Sequence, residues 1–117
     1  MNQFQRSENS DSGNQQPTIQ ARKSPDKASV RRRYHFYGHV QGVGFRYEAM
    51  GLAARLSLVG WVKNENDESV VIEIEGAPNL IDSFIMAIRA VPRFDIKEIK
   101  AENLSPLGIE ASFRLLF

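Results

Sequence analysis

Between residues 38 and 46 the chain reads Gly38-His39-Val40-Gln41-Gly42-Val43-Gly44-Phe45-Arg46, three glycines within seven positions. The residues before it alternate apolar and polar (Tyr34, Phe36, Val40), the period of a strand, and those from Tyr47 onward suit a helix. The stretch therefore fixes a strand, a tight loop and a helix in succession. Glycines reach φ > 0 without a steric penalty, so successive peptide N–H groups can turn inward together and form a concavity that binds anions. The helix that follows adds the positive end of its dipole, roughly half an elementary charge. Arg46 supplies a planar fork of donors suited to phosphate oxygens. Read this way, the junction is a small phosphate-binding site. A plain glycine-rich turn followed by a surface arginine fits the same residue types, which alone do not separate the two.

Two better-known phosphate loops are excluded. A dinucleotide fingerprint starting at Gly42 needs Gly or Ala where Tyr47 stands, and the mononucleotide loop needs Gly-Lys-Ser/Thr where the chain has Phe45-Arg46-Tyr47. The loop suits a phosphoryl group and shows no sign of a nucleotide.

The chain has 117 residues, enough for one domain with a real core. Its net charge of +1 gives no strong field toward nucleic acid, membrane or acidic partners. Cysteine is absent, which removes disulfides, thiolate metal sites and a thiol nucleophile. No apolar run approaches the ~20 residues of a membrane span, and no signal-peptide core follows Met1. A cytoplasmic monomer is expected. Residues 1–29 are dominated by Gln, Asn, Ser, Asp and Lys, too polar to offset the entropy of ordering, so a disordered tail is expected before a domain at 30–117. Arg31-Arg32-Arg33 reads as a solvated strand start. His35 and His39 fall on the polar parity of the first strand, with no third ligand at metal spacing, and are expected to be exposed strand residues.

After the first strand (30–40), residues 47–57 form a helix with Met50, Ala53, Ala54 and Leu56 on one face and Gly51 allowing close approach to a sheet. Residues 58–64 and 69–75 are two strands of a hairpin, with Val70, Ile72 and Ile74 inward. Pro78 opens a second helix whose Ile81, Phe84, Ile85 and Ile88 form a core-facing stripe, ended by Pro92. Residues 94–100 are a fourth strand whose phase slips between Ile96 and Ile99, the mark of a bulge. Residues 112–117 make a short last strand. The fold class is α+β: a ferredoxin-like βαββαβ sandwich, two helices on one face of a mostly antiparallel sheet of four or five strands.

No paired carboxylates, Ser/His/Asp set or helical His spacing accompanies the loop. Arg46, the loop amides and, as a candidate, Asn64 at the end of the second strand remain. A carboxamide is no general base at neutral pH, but it can hold a water by hydrogen bonds. Anion binding with a placed water suits phosphoryl hydrolysis of an activated substrate, where positioning and charge stabilisation do most of the work.

The stretch from Gly38 to Arg46 resembles the acylphosphatase signature G-x-V-Q-G-V-x-F-R. Gly60-Trp61-Val62-Lys63-Asn64, with Val70 and Gly76, resembles the family's second signature, G-[FWY]-V-[KR]-N-x3-G-x-V-x5-G. The resemblance covers about residues 30–117, and two motifs with correct spacing make it specific. It implies hydrolysis of acyl phosphates to carboxylate and phosphate without metal or cofactor, with inorganic phosphate as product and competing ligand. It further implies that Arg46 and the backbone of Gln41, Gly42, Val43, Gly44, Phe45 and Arg46 bind the phosphoryl group, and that Asn64 orients the attacking water. One position departs: Glu68 stands where the second signature has Gly. Either Glu68 takes a strained φ > 0, at about 1 kcal/mol, or Asn66 or Asp67 takes the left-handed position instead. Glu65, Asp67 and Glu68 also place negative charge near the anion site, which is expected to weaken substrate binding somewhat. A rival binding module, an RNA-recognition domain of the same element order, would stack bases on Tyr34 and Phe36. Against it, the third strand lacks aromatic and basic residues. A degenerate, non-catalytic domain of the same family is the other rival, and it should have lost the Arg or the Asn.

Overall fold

A computed structural model describes residues 29–117. Residues 1–28, on which the expectation of a disordered tail falls, lie outside the described residues. The elements run β1 (Val30–His39), α1 (Phe45–Arg55), β2 (Val59–Asn64), β3 (Val70–Gly76), α2 (Pro78–Arg89), β4 (Asp95–Leu104) and β5 (Phe113–Leu116). The strands form one five-stranded sheet in the order β4-β1-β3-β2-β5. All neighbours are antiparallel except β2 and β5, which run parallel. The α+β sandwich expected from the alternating periods is the one observed. No helix among the described residues is long and apolar enough to cross a membrane.

The core lies between the sheet and the two helices. Phe36, Val40, Val62, Ile72 and Ile74 meet Ala49 and Ala53 of α1 and Ile81, Phe84 and Ile88 of α2. Tyr34 and Phe36 are 7% and 0% exposed, so neither is free to stack a base, and the RNA-binding reading loses its platform. The buried face of α1 is Phe45, Ala49 and Ala53, an i, i+4, i+8 line, with Met50, Leu52 and Leu56 at its margins. Ala54, expected on that face, is exposed. Gly51 does not meet the sheet either: a methyl group there would touch only the Arg55 guanidinium, at 3.6 Å. The helix stops with Ser57 at φ 57°, where Ser57 N–H donates to Ala54 O and Leu58 N–H to Ala53 O, the paired bonds that close a Schellman turn.

The phase slip in β4 is a bulge. Tyr37 pairs with Glu98 but Gly38 with Ile96, leaving Lys97 as the extra residue. β4 itself continues four residues past the expected end at Lys100, because the start of β1 pairs with it as far as Arg31 with Leu104.

The other face of the sheet departs from expectation at Arg31. Far from being solvated, Arg31 is 2% exposed, with Nε 2.9 Å from Glu73 and Nη1 3.0 Å from Glu75 and 2.7 Å from Glu110. Arg33 adds two bonds to the second oxygen of Glu73, and Arg32 reaches Asp82. The cause is register. Arg31 pairs with Glu75 and Arg33 with Glu73 across β1 and β3, and such directly opposite side chains share one face. The segment after β4 then folds over them, with Leu107 N–H and Gly108 N–H donating to Glu75. Central β3 is thus buried on both faces, by apolar contacts on one and by this ion network on the other.

Candidate active site

β1 ends at His39, and the chain turns through Gly42 (φ 75°) and Gly44 (φ 82°) before α1 begins at Phe45. Both glycines sit in the left-handed region that side chains disfavour. At Gly42 nothing lies within 4 Å of where a Cβ would be, so backbone conformation and not crowding is what calls for glycine there. Gly44 caps α1 with no side-chain hydrogen bond, which leaves the first amides of the helix without a side-chain cap. Phe45 anchors this arrangement. It is 2% exposed, with its ring 5.0 Å from that of Phe36 and 4.8 Å from that of Phe94. Full burial of such a ring is worth about 2–3 kcal/mol, so the residue beside the loop glycines is tied to the core.

The loop borders a cavity of about 200 Å³ lined by Val40, Gly42, Gly44, Phe45, Arg46, Tyr47 and Asn64. Five residues singled out from the sequence (Gly42, Gly44, Phe45, Arg46 and Asn64) therefore meet at one place. Asn64, the last residue of β2, arrives there because β2 pairs with β3 from Val59 to Asn64 and so returns alongside the sheet to the loop end. Its Oδ1 is buried and accepts no hydrogen bond among the described residues. Burying an unsatisfied carbonyl oxygen costs on the order of 1–3 kcal/mol, and such atoms call for an explanation in function or in solvent.

Arg46 is held at its flank. Nη1 donates to Leu116 O at 2.9 Å, and the guanidinium carbon lies 5.2 Å from the centre of the Phe117 ring. No carboxylate pairs with it among the described residues, so most of its donors remain available to an anion. Two other loop residues do not line the cavity. The Gln41 side chain points to the β2–β3 hairpin, where Nε2 donates to Glu65 O and Ser69 O, each at 2.8 Å. The Val43 carbonyl accepts from Arg93 Nε at 2.8 Å, and Arg93 also pairs with Glu48 at 3.2 Å. Arg93 thus draws a loop carbonyl to the outside, away from the amides that an anion would need.

The hairpin after Asn64 resolves the departure at position 68. Glu68 itself adopts φ 72°, the strained alternative, and Asn66 and Asp67 stay at negative φ. Asp67 accepts from Ser69 N–H at 3.0 Å and Ser69 Oγ at 2.5 Å, and these bonds hold its carboxyl below the usual carboxylate range. That carboxylate is engaged with Ser69. His35 and His39 are half-buried and exposed, and no group of three His, Asp or Glu side chains suited to a metal occurs among the described residues.

Sequence reasoning missed Val40 and Tyr47 as walls of the cavity, Arg93 as a brace, and the Leu116–Phe117 end of the chain as the support of Arg46. Tyr47 was visible as the neighbour of Arg46. The braces were not, since 50 residues separate Arg93 from Val43 and 70 separate Arg46 from Leu116.

Comparison with known proteins agrees with this picture. The acylphosphatase family model matches residues 32–115. An acylphosphatase of Clostridium acetobutylicum is 40% identical over 81 residues, spanning 68% of this chain and 89% of that protein. One from Moorella thermoacetica is 39% identical over 87 residues, spanning 74% and 92%. The crystal structure of the Bacillus subtilis acylphosphatase superposes with a TM-score of 0.71 at 34% identity, covering 75% of this chain and 99% of that one. A similar fold forms part of full-length HypF, with a TM-score of 0.73 and 29% identity over 81% of this chain and 12% of HypF. With both signature stretches meeting at one cavity and the match running through nearly all of the described sheet, the chain belongs to the acylphosphatase family.

Proposed function

We propose that this chain hydrolyses acyl phosphates to a carboxylate and inorganic phosphate, with Arg46 and the loop amides holding the phosphoryl group and Asn64 aiming the water. The observation that carries the reading is the meeting of Arg46 and Asn64, from two different elements, on one cavity of about 200 Å³ floored by left-handed glycines. Backbone N–H groups of the segment from Gln41 to Arg46 take the phosphoryl oxygens, supported by the dipole of α1. The Arg46 guanidinium neutralises charge that spreads over those oxygens as the bond to the leaving group lengthens.

Asn64 Oδ1, buried and without a hydrogen-bond donor among the described residues, accepts a hydrogen from the water and so turns a lone pair of the water's oxygen toward phosphorus. The new P–O bond forms as the P–O bond to the acyl group breaks, and the electron pair of the broken bond leaves on the carboxylate. The water's proton passes to a phosphoryl oxygen of the substrate, because none of the cavity's side chains is a base at neutral pH. A carboxylate is a good leaving group, so no general acid is called for. The chemistry is assigned to the protein's own donors, without metal or cofactor.

The test is an assay on a simple aromatic acyl phosphate, run with a chelator present, comparing the natural chain with Arg46→Ala. The expected result is metal-independent release of phosphate, inhibited by added inorganic phosphate, with kcat/KM lower by about 10³-fold or more in the variant. Full inhibition by phosphate surviving in Arg46→Ala would remove Arg46 from its role. Absence of hydrolysis in the natural chain would overturn the reading and favour the degenerate, non-catalytic alternative.

A further inference from the structure

Gln41 belongs to the loop by sequence, yet its side chain crosses to the hairpin that begins immediately after Asn64. Its Nε2 donates to Glu65 O and to Ser69 O, both at 2.8 Å. Two bonds are the full donor capacity of a primary amide, so this nitrogen has nothing left for a phosphoryl oxygen. The same two carbonyls also accept from the turn's own amides, Glu68 N–H to Glu65 O at 3.2 Å and Glu65 N–H to Ser69 O at 2.9 Å. One carboxamide therefore closes over both ends of the turn. This turn needs holding. Glu68 lies at φ 72°, and a side-chain-bearing residue persists in that region only where its surroundings over-determine it. Asp67, through Ser69, fastens the turn from within, whereas among the described residues it is the Gln41 side chain that hydrogen-bonds it to the loop that carries Arg46.

We infer that Gln41 is a positioning residue for the hydrolysis: its side-chain amide clasps the strained turn and so sets the distance between the Asn64 carboxamide and the phosphate loop. The inference rests on the water-orienting role proposed for Asn64. Asn64 pairs with Val70 at the mouth of the hairpin, so a turn free to shift takes Asn64 with it. A displacement near 1 Å at such a group costs on the order of 10²-fold in rate. The phosphate loop itself is braced separately, by buried Phe45 and by Arg93 on Val43 O, and should keep its shape without the clasp.

The experiment compares Gln41→Met, of similar length but without donors, with Gln41→Lys, which restores a donor. Three quantities are read: kcat on an aromatic acyl phosphate, the dissociation constant of inorganic phosphate, and amide hydrogen exchange at Glu65 and Glu68. The expected result for Gln41→Met is a kcat lower by about 10–100-fold, with phosphate affinity within about twofold and faster exchange at Glu68. Gln41→Lys should recover part of the kcat. An unchanged kcat in Gln41→Met beside a slow Asn64→Ala enzyme overturns the inference. So does a parallel loss of kcat and phosphate affinity, which would place Gln41 in ground-state binding. A fast Asn64→Ala enzyme is a failure of the Asn64 role, and the clasp is then judged by exchange alone: an unaltered Glu68 amide in Gln41→Met overturns it.

Discussion

Arg31 near the start of β1 and Arg46 in the helix beyond its end are used in opposite ways. Arg31 at its start is 2% exposed and has donors bound to Glu73, Glu75 and Glu110. Arg46, beyond its end, has among the described residues one main-chain carbonyl and one ring face. Burial lowers the affinity of Arg31 for its proton, but the hydrogen bonds to Glu110, Glu75 and Glu73 outweigh it, and the guanidinium stays charged at any accessible pH. A cation enclosed by three carboxylates has its charge compensated and belongs to the architecture. A cation held only at its flank keeps donors for a ligand. On the proposed function, the same residue type serves folding at one end of a strand and chemistry at the other, and the number of carboxylates already engaged tells them apart.

The largest effect that would sharpen this contrast is on stability. Arg31→Met removes the common partner of three carboxylates and leaves Glu73 and Glu75 buried, which typically costs about 3–5 kcal/mol. Chemical denaturation should show the loss, while the fraction that stays folded keeps its kcat. Arg46→Ala should do the reverse, with a denaturation midpoint close to that of the natural chain and almost no activity. A stable Arg31→Met protein would erase the distinction.

Next in size is Asn64→Ala. If Asn64 acts on the water and not on the bound phosphate, as proposed, kcat should fall by about 10²–10³-fold with phosphate affinity nearly intact. Isothermal titration with phosphate beside steady-state kinetics separates the two quantities. Wild-type hydrolysis in this variant would remove Asn64 from the mechanism.

The order of elements was legible because strand and helix periods differ and each run of apolar residues has one face to bury. The bulge at Lys97 was legible too, as a slip of phase between Ile96 and Ile99. The loop, Arg46 and Asn64 could be singled out as candidates because their motifs are local and tightly spaced, and the structure brings Gly42, Gly44, Phe45, Arg46 and Asn64 to one cavity. Arg31 was misread for the converse reason. Its three carboxylates lie 42, 44 and 79 residues away, and no local pattern marks which charges will face one another across a sheet. The extension of β4 to Leu104 has the same origin, since pairing with β1 fixes residues that carry no alternation of their own. Position 68 was narrowed to two outcomes, and only tertiary bonds to the turn decide between them.

The ion network also predicts how the fold responds to acid. Burial raises the carboxyls of Glu73 and Glu75, but Arg33 and Arg31 on Glu73, and the Leu107 and Gly108 amides with Arg31 on Glu75, outweigh it and hold both below the usual range. A depressed folded value means that the stabilisation is complete above the unfolded value of about 4.3 and disappears as pH falls through the folded one. Urea midpoints should therefore be level from about pH 7 to 5 and decline below that, with a shallower decline in Arg31→Met. An equally steep acid limb in that variant would assign the effect to other carboxylates.

The smallest effect tests the turn that joins the two halves of the site. Glu68→Gly removes a side chain from the left-handed region and should stabilise the folded state by about 1 kcal/mol, less what glycine adds to the freedom of the unfolded chain. The gain should appear as a rise in the denaturation midpoint without a change in phosphate affinity. Because a glycine turn needs less holding, the loss of kcat caused by Gln41→Met should also shrink in the Glu68→Gly background, a coupling that a double-mutant cycle reads directly. Strictly additive effects would mean that Gln41 and Glu68 act on different things. The clasp would then owe nothing to the strain at φ 72°, and the hairpin after Asn64 would be held for its own sake.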